Sequence, residues 1–441
     1  MVFTIVTLGA SSTFASGSAV PANWITYHND LSRSGYDGSS NNSPPPAFLW
    51  ESKTLDGAVY AEPLIYDGMV IVATENNSVY ALSPTSGHVI WRKHLGAPVP
   101  GSSLPCGDIN PSGITGTPAI DPATNTIYVT AYLANPTEHH VLFGLDANTG
   151  KVVFRRNVDP AGVSVLVEQE RGALAISGGV VYVPFGGLAG DCGTYHGYVV
   201  GVPENGSARF QYKDPTGIRG GIWAPSGASV NSAGDLFVAT GNSGSTTKFD
   251  FGDAVIELSP TLHEISYFAP KNWASLNSGD LDLGSAGPAI LNDSGLVFQI
   301  GKQGVGYLLN ETALGGIGGQ LFSKRVCPSS SGGAFGGIAY VDSTIFVPCT
   351  SGIVAINANF TADTFSTLWS GPSFQAGPPV ISNDLVWTVG INNAVVYALN
   401  MTSGQVVFSY SAGTVEHFTS PAASSGQVYV AAGSKIIGFE A

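Results

Sequence analysis

An all-β ring of eight four-stranded antiparallel blades, a β-propeller, is the fold class this sequence predicts, and three observations predict it. The first is a short unit that keeps returning: a hydrophobic strand, a tight polar turn ending in Gly, then a strand ending in an aromatic residue. It reads VYALSPTSGHVIW from Val79 to Trp91, FGLDANTGKVVF from Phe143 to Phe154, VVGVPENGSARF from Val199 to Phe210, and VVYALNMTSGQVVF near the C-terminus. Each copy predicts a β-hairpin, because alternating apolar residues flank a turn whose residues tolerate positive φ. The second observation is the spacing. Weaker copies follow at VIELSPTLHEISYF, at YLLNETALGG with QLF, at IVAINANFTADTFSTLW, and as the half-copy KIIGFEA at the end. That makes about eight units roughly 50 residues apart, as propeller blades require. The third is that the two ends are complementary. The last unit, SGQVYVAAGSKIIGFEA, has three strands and lacks its outer one, whereas PPAFLWESKTL around Trp50 is a strand without a blade.

Taken in order, most hairpins are preceded by another strand pair, such as EPLIYDGMVIVAT, TPAIDPATNTIYVTA and GPAILNDSGLVFQI. A blade is therefore strand, turn, strand, loop, strand, turn, strand. Pairing the strand at Trp50 with the C-terminal blade closes the ring and removes the open edges that would invite aggregation. Residues 23–441 are expected to form this one propeller domain. Residues 1–22 carry an apolar run followed by small residues, which resembles a secretory signal, although no Lys or Arg precedes Arg33 to supply a positive n-region. The expectation is an exported protein, extracellular or periplasmic.

Composition supports a sheet-rich chain, since 57 Gly and 27 Pro accompany 44% hydrophobic residues without a long stretch of helical period. Helix should be minor. Lys and Arg number 17 against 31 Asp and Glu, a net charge of -14 without a basic cluster, which excludes a nucleic-acid partner. No segment beyond the signal-like one is long and apolar enough to span a bilayer. Four cysteines allow three pairings. Cys327 and Cys349 flank one strand pair, Cys106 and Cys192 stand in long Gly-rich loops that could meet, and none has metal-like spacing, so two structural disulfides are expected.

In a propeller the loops between blades and those between the second and third strands of a blade open onto one face, where side chains from every blade meet. The longest such loops here are LGAPVPGSSLPCGDINPSGITGTP, FGGLAGDCGTYHG, TGNSGSTTKFDFGD, APKNWASLNSGDLDLGSAGP and QIGKQGVGY. Together with the repeat they resemble the quinoprotein type of eight-bladed propeller, which binds pyrroloquinoline quinone (PQQ). In alcohol and sugar dehydrogenases of that family a Gly-Gly segment carries a Trp that floors the quinone, and a following T-G-N carries a calcium-ligating Asn. GGIWAPSGASVNSAGDLFVATGN offers Trp223 and Asn242 in that order. Next in the family comes an Asp-rich loop with the catalytic base, then a basic residue that touches the quinone carbonyls. GDLDLGSAGPAILNDSGLVFQIGKQGVGYLL offers Asp280 or Asp282, and Lys302. The chemistry suits each role: an aromatic floor for a planar ring, hard oxygens for calcium, a carboxylate near the substrate hydroxyl and a cation near the quinone oxygens.

The sequence also departs from that pattern. Where the family's calcium-binding Glu stands, this chain has Cys192, with Asp191 beside it as the substitute ligand. A vicinal Cys-Cys pair and a haem-attachment C-x-x-C-H are both missing. The same residues also have ordinary roles: Trp223 as packing between blades, Asn242 as a turn residue, Asp280 and Asp282 as loop solvation. Three functions therefore stand side by side. The first is an exported oxidoreductase acting on an alcohol or sugar with PQQ and Ca2+. The second is a cofactor-free interaction propeller with envelope or surface proteins as partners. The third is an extracellular hydrolase resembling tetrathionate hydrolases, with Asp280 or Asp282 as acid or base.

Overall fold

The computed structural model describes residues 22–39, 45–291, 294–330 and 332–441. The signal-like segment 1–22 lies, apart from Ala22, outside the described residues. Eight antiparallel sheets form the ring. Blade 1 runs from Leu64–Tyr66 at the axis to Val89–His94 at the rim, and blade 2 from Ala119–Asp121 to Val152–Asn157. Blades 3 to 7 begin at Ala175–Ser177, Ser229–Val230, Ala289–Leu291, Ala339–Val341 and Val380–Ser382. Blade 8 is Ala422–Ser424, Gln427–Ala432 and Lys435–Glu440, completed by Ala47–Glu51 pairing antiparallel with the last of these. The expected closure is thus present. Helix among the described residues is one short segment, Trp273–Gly279, and two 3-10 turns.

Burial explains the sequence pattern within a blade. Met69–Thr74 and Ser78–Leu82 are buried at every position, because neighbouring blades cover both faces. The rim strand Val89–His94 meets water and is largely exposed. Antiparallel pairing with apolar residues on both faces is what packs eight sheets face to face.

The repeat's two signature residues serve each other across blade boundaries. Gly87, Gly150 and Gly404 have φ of 66°, 67° and 70°, and the rings of Trp50, Trp91 and Trp369 lie where a Cβ would project. Each indole nitrogen donates to a carbonyl of the same neighbouring turn: Trp50 to Pro84 at 2.7 Å, Trp91 to Ala147 at 3.0 Å, Trp369 to Met401 at 3.0 Å. The aromatic end of one blade therefore docks on the glycine turn of the next. A ring built this way needs both residues in every repeat that uses the contact.

One feature was not anticipated from the sequence. Residues 24–39 travel round the inner strands at the lower mouth of the channel and touch the blades in turn. Backbone bonds join Trp24 to Ile65, Ile25 to Ile120, Leu31 to Val230, Ser32 to Ile290, Ser34 to Tyr340 and Gly35 to Ile381. Arg33 is buried within this strap and donates through Nε and Nη2 to the Ala228 carbonyl, and through Nη1 to Thr26 and the Tyr27 carbonyl. Burial holds His28 down at about 3 and pushes Glu62 up to about 8. The strap contributes Asn29, Asp30, Ser34 and Tyr36 to a separate polar pocket with Tyr340 and Asp342, away from the loops that bear the residues singled out in the sequence.

Candidate active site

All six residues singled out in the sequence line one cavity at the upper mouth, of about 540 Å3: Asp191, Trp223, Asn242, Asp280, Asp282 and Lys302. They come from five loops. Asp191 belongs to the loop between the second and third strands of blade 3, and Asn242 and Lys302 to the same loop of blades 4 and 5. Trp223 precedes the first strand of blade 4, and the two aspartates connect blade 4 to blade 5. The volume is within the range of small-molecule sites.

Lys302 organises one side. Its ammonium is 2.7 Å from Asp282 and 3.0 Å from Asp280, and 5.6 Å from the centre of the Trp223 ring. The second oxygen of Asp282 accepts the Asn242 backbone N–H at 2.7 Å. Burial raises Asp282 above the usual carboxylate range against the pull of Lys302, while for Lys302 burial is outweighed by the two aspartates and its proton is held more tightly. Asp282 is buried and Asp280 is 69% exposed, which separates two residues the sequence left equivalent. Gly241 lets the site assemble: a Cβ there would come within 2.8 Å of the Trp223 indole nitrogen and 3.1 Å of Asp282.

The other side contains residues that sequence reasoning passed over. Arg171 lies 5.9 Å from the Trp223 ring centre and 5.8 Å from that of Phe418, and donates to Gln169 at 2.9 Å. Its Nε is buried without a hydrogen-bond partner, and so is His417 Nε2. Asp108 is 3.7 Å from both Arg171 and His417, too long for direct hydrogen bonds. Asp253 stands behind Asp282 and accepts the Leu283 N–H at 2.7 Å; its other oxygen is buried and unpaired, and burial, with Asp282 adding to it, pushes the carboxyl well up. With cations so few in this chain, an Arg just ahead of the apolar strand Ala175–Ser177 was the available signal for Arg171. Asp253 ends a loop that had been marked without its last residue being weighed.

Two disulfides join Cys106 to Cys192 and Cys327 to Cys349, as expected. The first ties the loop bearing Asp108 to the loop bearing Asp191, both on the cavity rim. Two such bonds are compatible with an oxidising compartment. No helix among the described residues is long and apolar enough to cross a membrane.

The donor set was tested against the two groups the sequence suggests. A planar ring fits in size and facing: an indole is present, two cations stand within 6 Å of it and the Arg171 Nε–H is unmatched, while for a negative charge Arg171 is the freer cation, because Lys302 already pairs with two of the four aspartates that line the cavity. Calcium fits poorly. Cys192 is committed to Cys106, and Asp191 accepts the Tyr195 hydroxyl at 2.6 Å and faces Arg219 at 3.5 Å. Among the described residues there is no group of three His, Cys, Asp or Glu side chains placed to hold a metal ion. An ion that prefers six to eight oxygens would find the nearest carboxylate, Asp191, already engaged.

Comparison with known proteins agrees with this fold. The family model described as outer membrane protein assembly factor BamB matches residues 47–265. No curated protein matches the chain in sequence. Among solved structures, a europium-containing methanol dehydrogenase superposes with a TM-score of 0.72 at 14% identity, covering 95% of this chain and 98% of that one. A quinohemoprotein alcohol dehydrogenase from Pseudomonas putida gives 0.71 at 14% identity, covering 95% and 80%. BamB from Moraxella catarrhalis gives 0.60 at 14% identity, covering 90% and 98%. Identities this low speak for the fold.

Proposed function

From the premise that this chain is an eight-bladed propeller of the PQQ-like type, we propose that it is an exported oxidoreductase of the quinoprotein kind, binding PQQ in the upper cavity and oxidising a small alcohol or sugar. One observation carries the reading. Six positions chosen by order in the sequence, from three blades, come together in a single cavity of about 540 Å3. The structural neighbours that are alcohol and methanol dehydrogenases add support at the level of fold.

The residues divide the work by position. Trp223 would support the planar ring, and Arg171 and Lys302, on either side of the cavity, would meet its negative charges. PQQ, when bound, supplies the acceptor for the two electrons that leave the substrate carbon as hydride. Asp282 would take the hydroxyl proton, since a buried carboxyl with raised proton affinity is a better base than an exposed one. Asp280 would hold Lys302 in place. Asn242 and Asp191 are the positions that would face a calcium ion, but no step is assigned to a metal, because the carboxylate there is already engaged.

The test uses the purified full chain. After incubation with PQQ and gel filtration, a quinone absorption should travel with the protein, and an alcohol should then reduce an artificial dye. Trp223→Ala should weaken PQQ binding at least tenfold. If no quinone stays with the wild-type chain, with or without added Ca2+, the proposal fails, and an interaction propeller of the BamB kind becomes the better reading.

A further inference from the structure

The upper cavity has a neighbour of different chemistry. Loops of blades 6 and 7 enclose a second pocket of about 180 Å3, with Ala376, Gly377, Pro378 and Ile391 among its walls. Phe335, His417 and Phe418 line both spaces. The larger cavity carries four carboxylates, a lysine and an arginine, whereas the smaller one has no charged carboxylate or basic side chain apart from the shared His417. The hydroxyl of Thr350 in the smaller pocket is already engaged by the Gly332 N–H at 2.8 Å. The rest of the wall is mostly apolar, with the exposed Gln375 at its edge and the unpaired His417 Nε2 as its other polar groups.

The partition between the two is aromatic. Phe418 stacks on Phe335 with centres 5.8 Å apart and 24° between planes, and approaches Trp223 at 6.1 Å. Its φ of 64° is an unusual conformation for a bulky residue, and its side chain lines both pockets. Because both spaces share Phe335, His417 and Phe418, a molecule whose polar end lies near Asp282 and Lys302 would have to round this wall to place an apolar end in the smaller pocket.

We infer that the pocket bounded by Ile391, Ala376 and Phe418 is the subsite for the hydrocarbon chain of the substrate, which is an alcohol with a short apolar tail rather than a sugar. The inference rests on the quinoprotein reading for the hydroxyl end and on the pocket alone for the tail. A space of about 180 Å3 equals that of roughly six waters at about 30 Å3 each, which suits a chain of about four to six carbons. Each methylene transferred from water is worth about 0.8 kcal/mol, or roughly fourfold in kcat/KM.

The experiment is a chain-length series on the PQQ-loaded protein, from methanol to 1-octanol, with dye reduction as readout. We expect kcat/KM to rise roughly fourfold per carbon and to level off at about four to six carbons. Ile391→Phe should move the optimum to shorter chains and Ile391→Ala to longer ones, with methanol turnover unchanged in both. The same chain-length profile in all three proteins, or a preference for sugars, would overturn the inference while leaving the quinone reading intact. A second arm needs no cofactor: crystals of the chain alone under xenon should show the gas beside Ile391, and none in Ile391→Phe. Xenon there without turnover of any alcohol would sink the quinone reading and retain the apolar site; a pocket without xenon would sink the site.

Discussion

At the lower mouth of the channel, residues 24–39 put backbone groups against the blades in succession, and the buried Arg33 spends its donors on Ala228, Thr26 and Tyr27. At the upper mouth the loops leave a cavity, and a second buried arginine, Arg171, keeps an unmatched Nε beside an indole and a phenyl ring. The same residue type is structural where the chain satisfies it and available to a ligand where the chain does not. A buried polar group without a partner costs about 1–3 kcal/mol, a cost a ligand that accepts the hydrogen bond removes.

Changes at each mouth should therefore separate stability from binding. The largest expected effect is on the rim of the upper mouth. Replacing Cys106 and Cys192 with Ser opens a closed segment of 86 residues, which chain entropy values at about 4–5 kcal/mol, against about 3 for the 22-residue segment closed by Cys327 and Cys349. Urea unfolding of the two double variants should rank them in that order. Next comes Arg33→Met in the strap, which should cost about 3 kcal/mol in the same assay and leave PQQ affinity unaltered.

A smaller effect should follow pH. Burial pushes Glu75, Glu62 and Glu168 up to about 7, 8 and 9 from 4.5. The folded chain holds protons there that the unfolded chain has lost, so the stability they contribute is full below pH 4.5 and disappears as pH rises through 7 to 9. His28, held down at about 3 from 6.5, acts the other way, but only below pH 6.5. The melting temperature should fall steadily between pH 6.5 and 9; a flat or rising profile would mean these carboxyls are ionised in the fold. The smallest effect belongs to Asp280→Asn. With Asp280 largely exposed, unfolding should change by less than about 1 kcal/mol, although dye reduction should drop because Lys302 loses one of its two anchors.

The ring was legible in the sequence because its signals are local and repeated. Gly87 and Trp91, or Gly404 and Phe408, lie within a few residues of each other, and the period does the rest. The site was legible only through order along the chain. Trp223, Asn242, Asp282 and Lys302 could be placed because each follows a recognisable strand. Arg171, His417 and Phe418 could not, since what makes them notable is proximity across the channel between loops more than 200 residues apart. The strap escaped notice for a related reason: residues 24–39 are almost without periodicity, as backbone hydrogen bonds to successive blades require no repeating side chain. Asp191 remains the position where sequence order and geometry agree least, because its carboxylate is engaged by Tyr195 and Arg219.

On the proposed function, the upper mouth and not the lower receives a planar anionic ligand against Trp223. A crystal structure of the chain grown with PQQ tests it directly. One quinone should lie along the Trp223 ring, with Arg171 at one edge and Lys302 at the other. A quinone bound elsewhere, or a cavity holding only water at saturating PQQ, would contradict it.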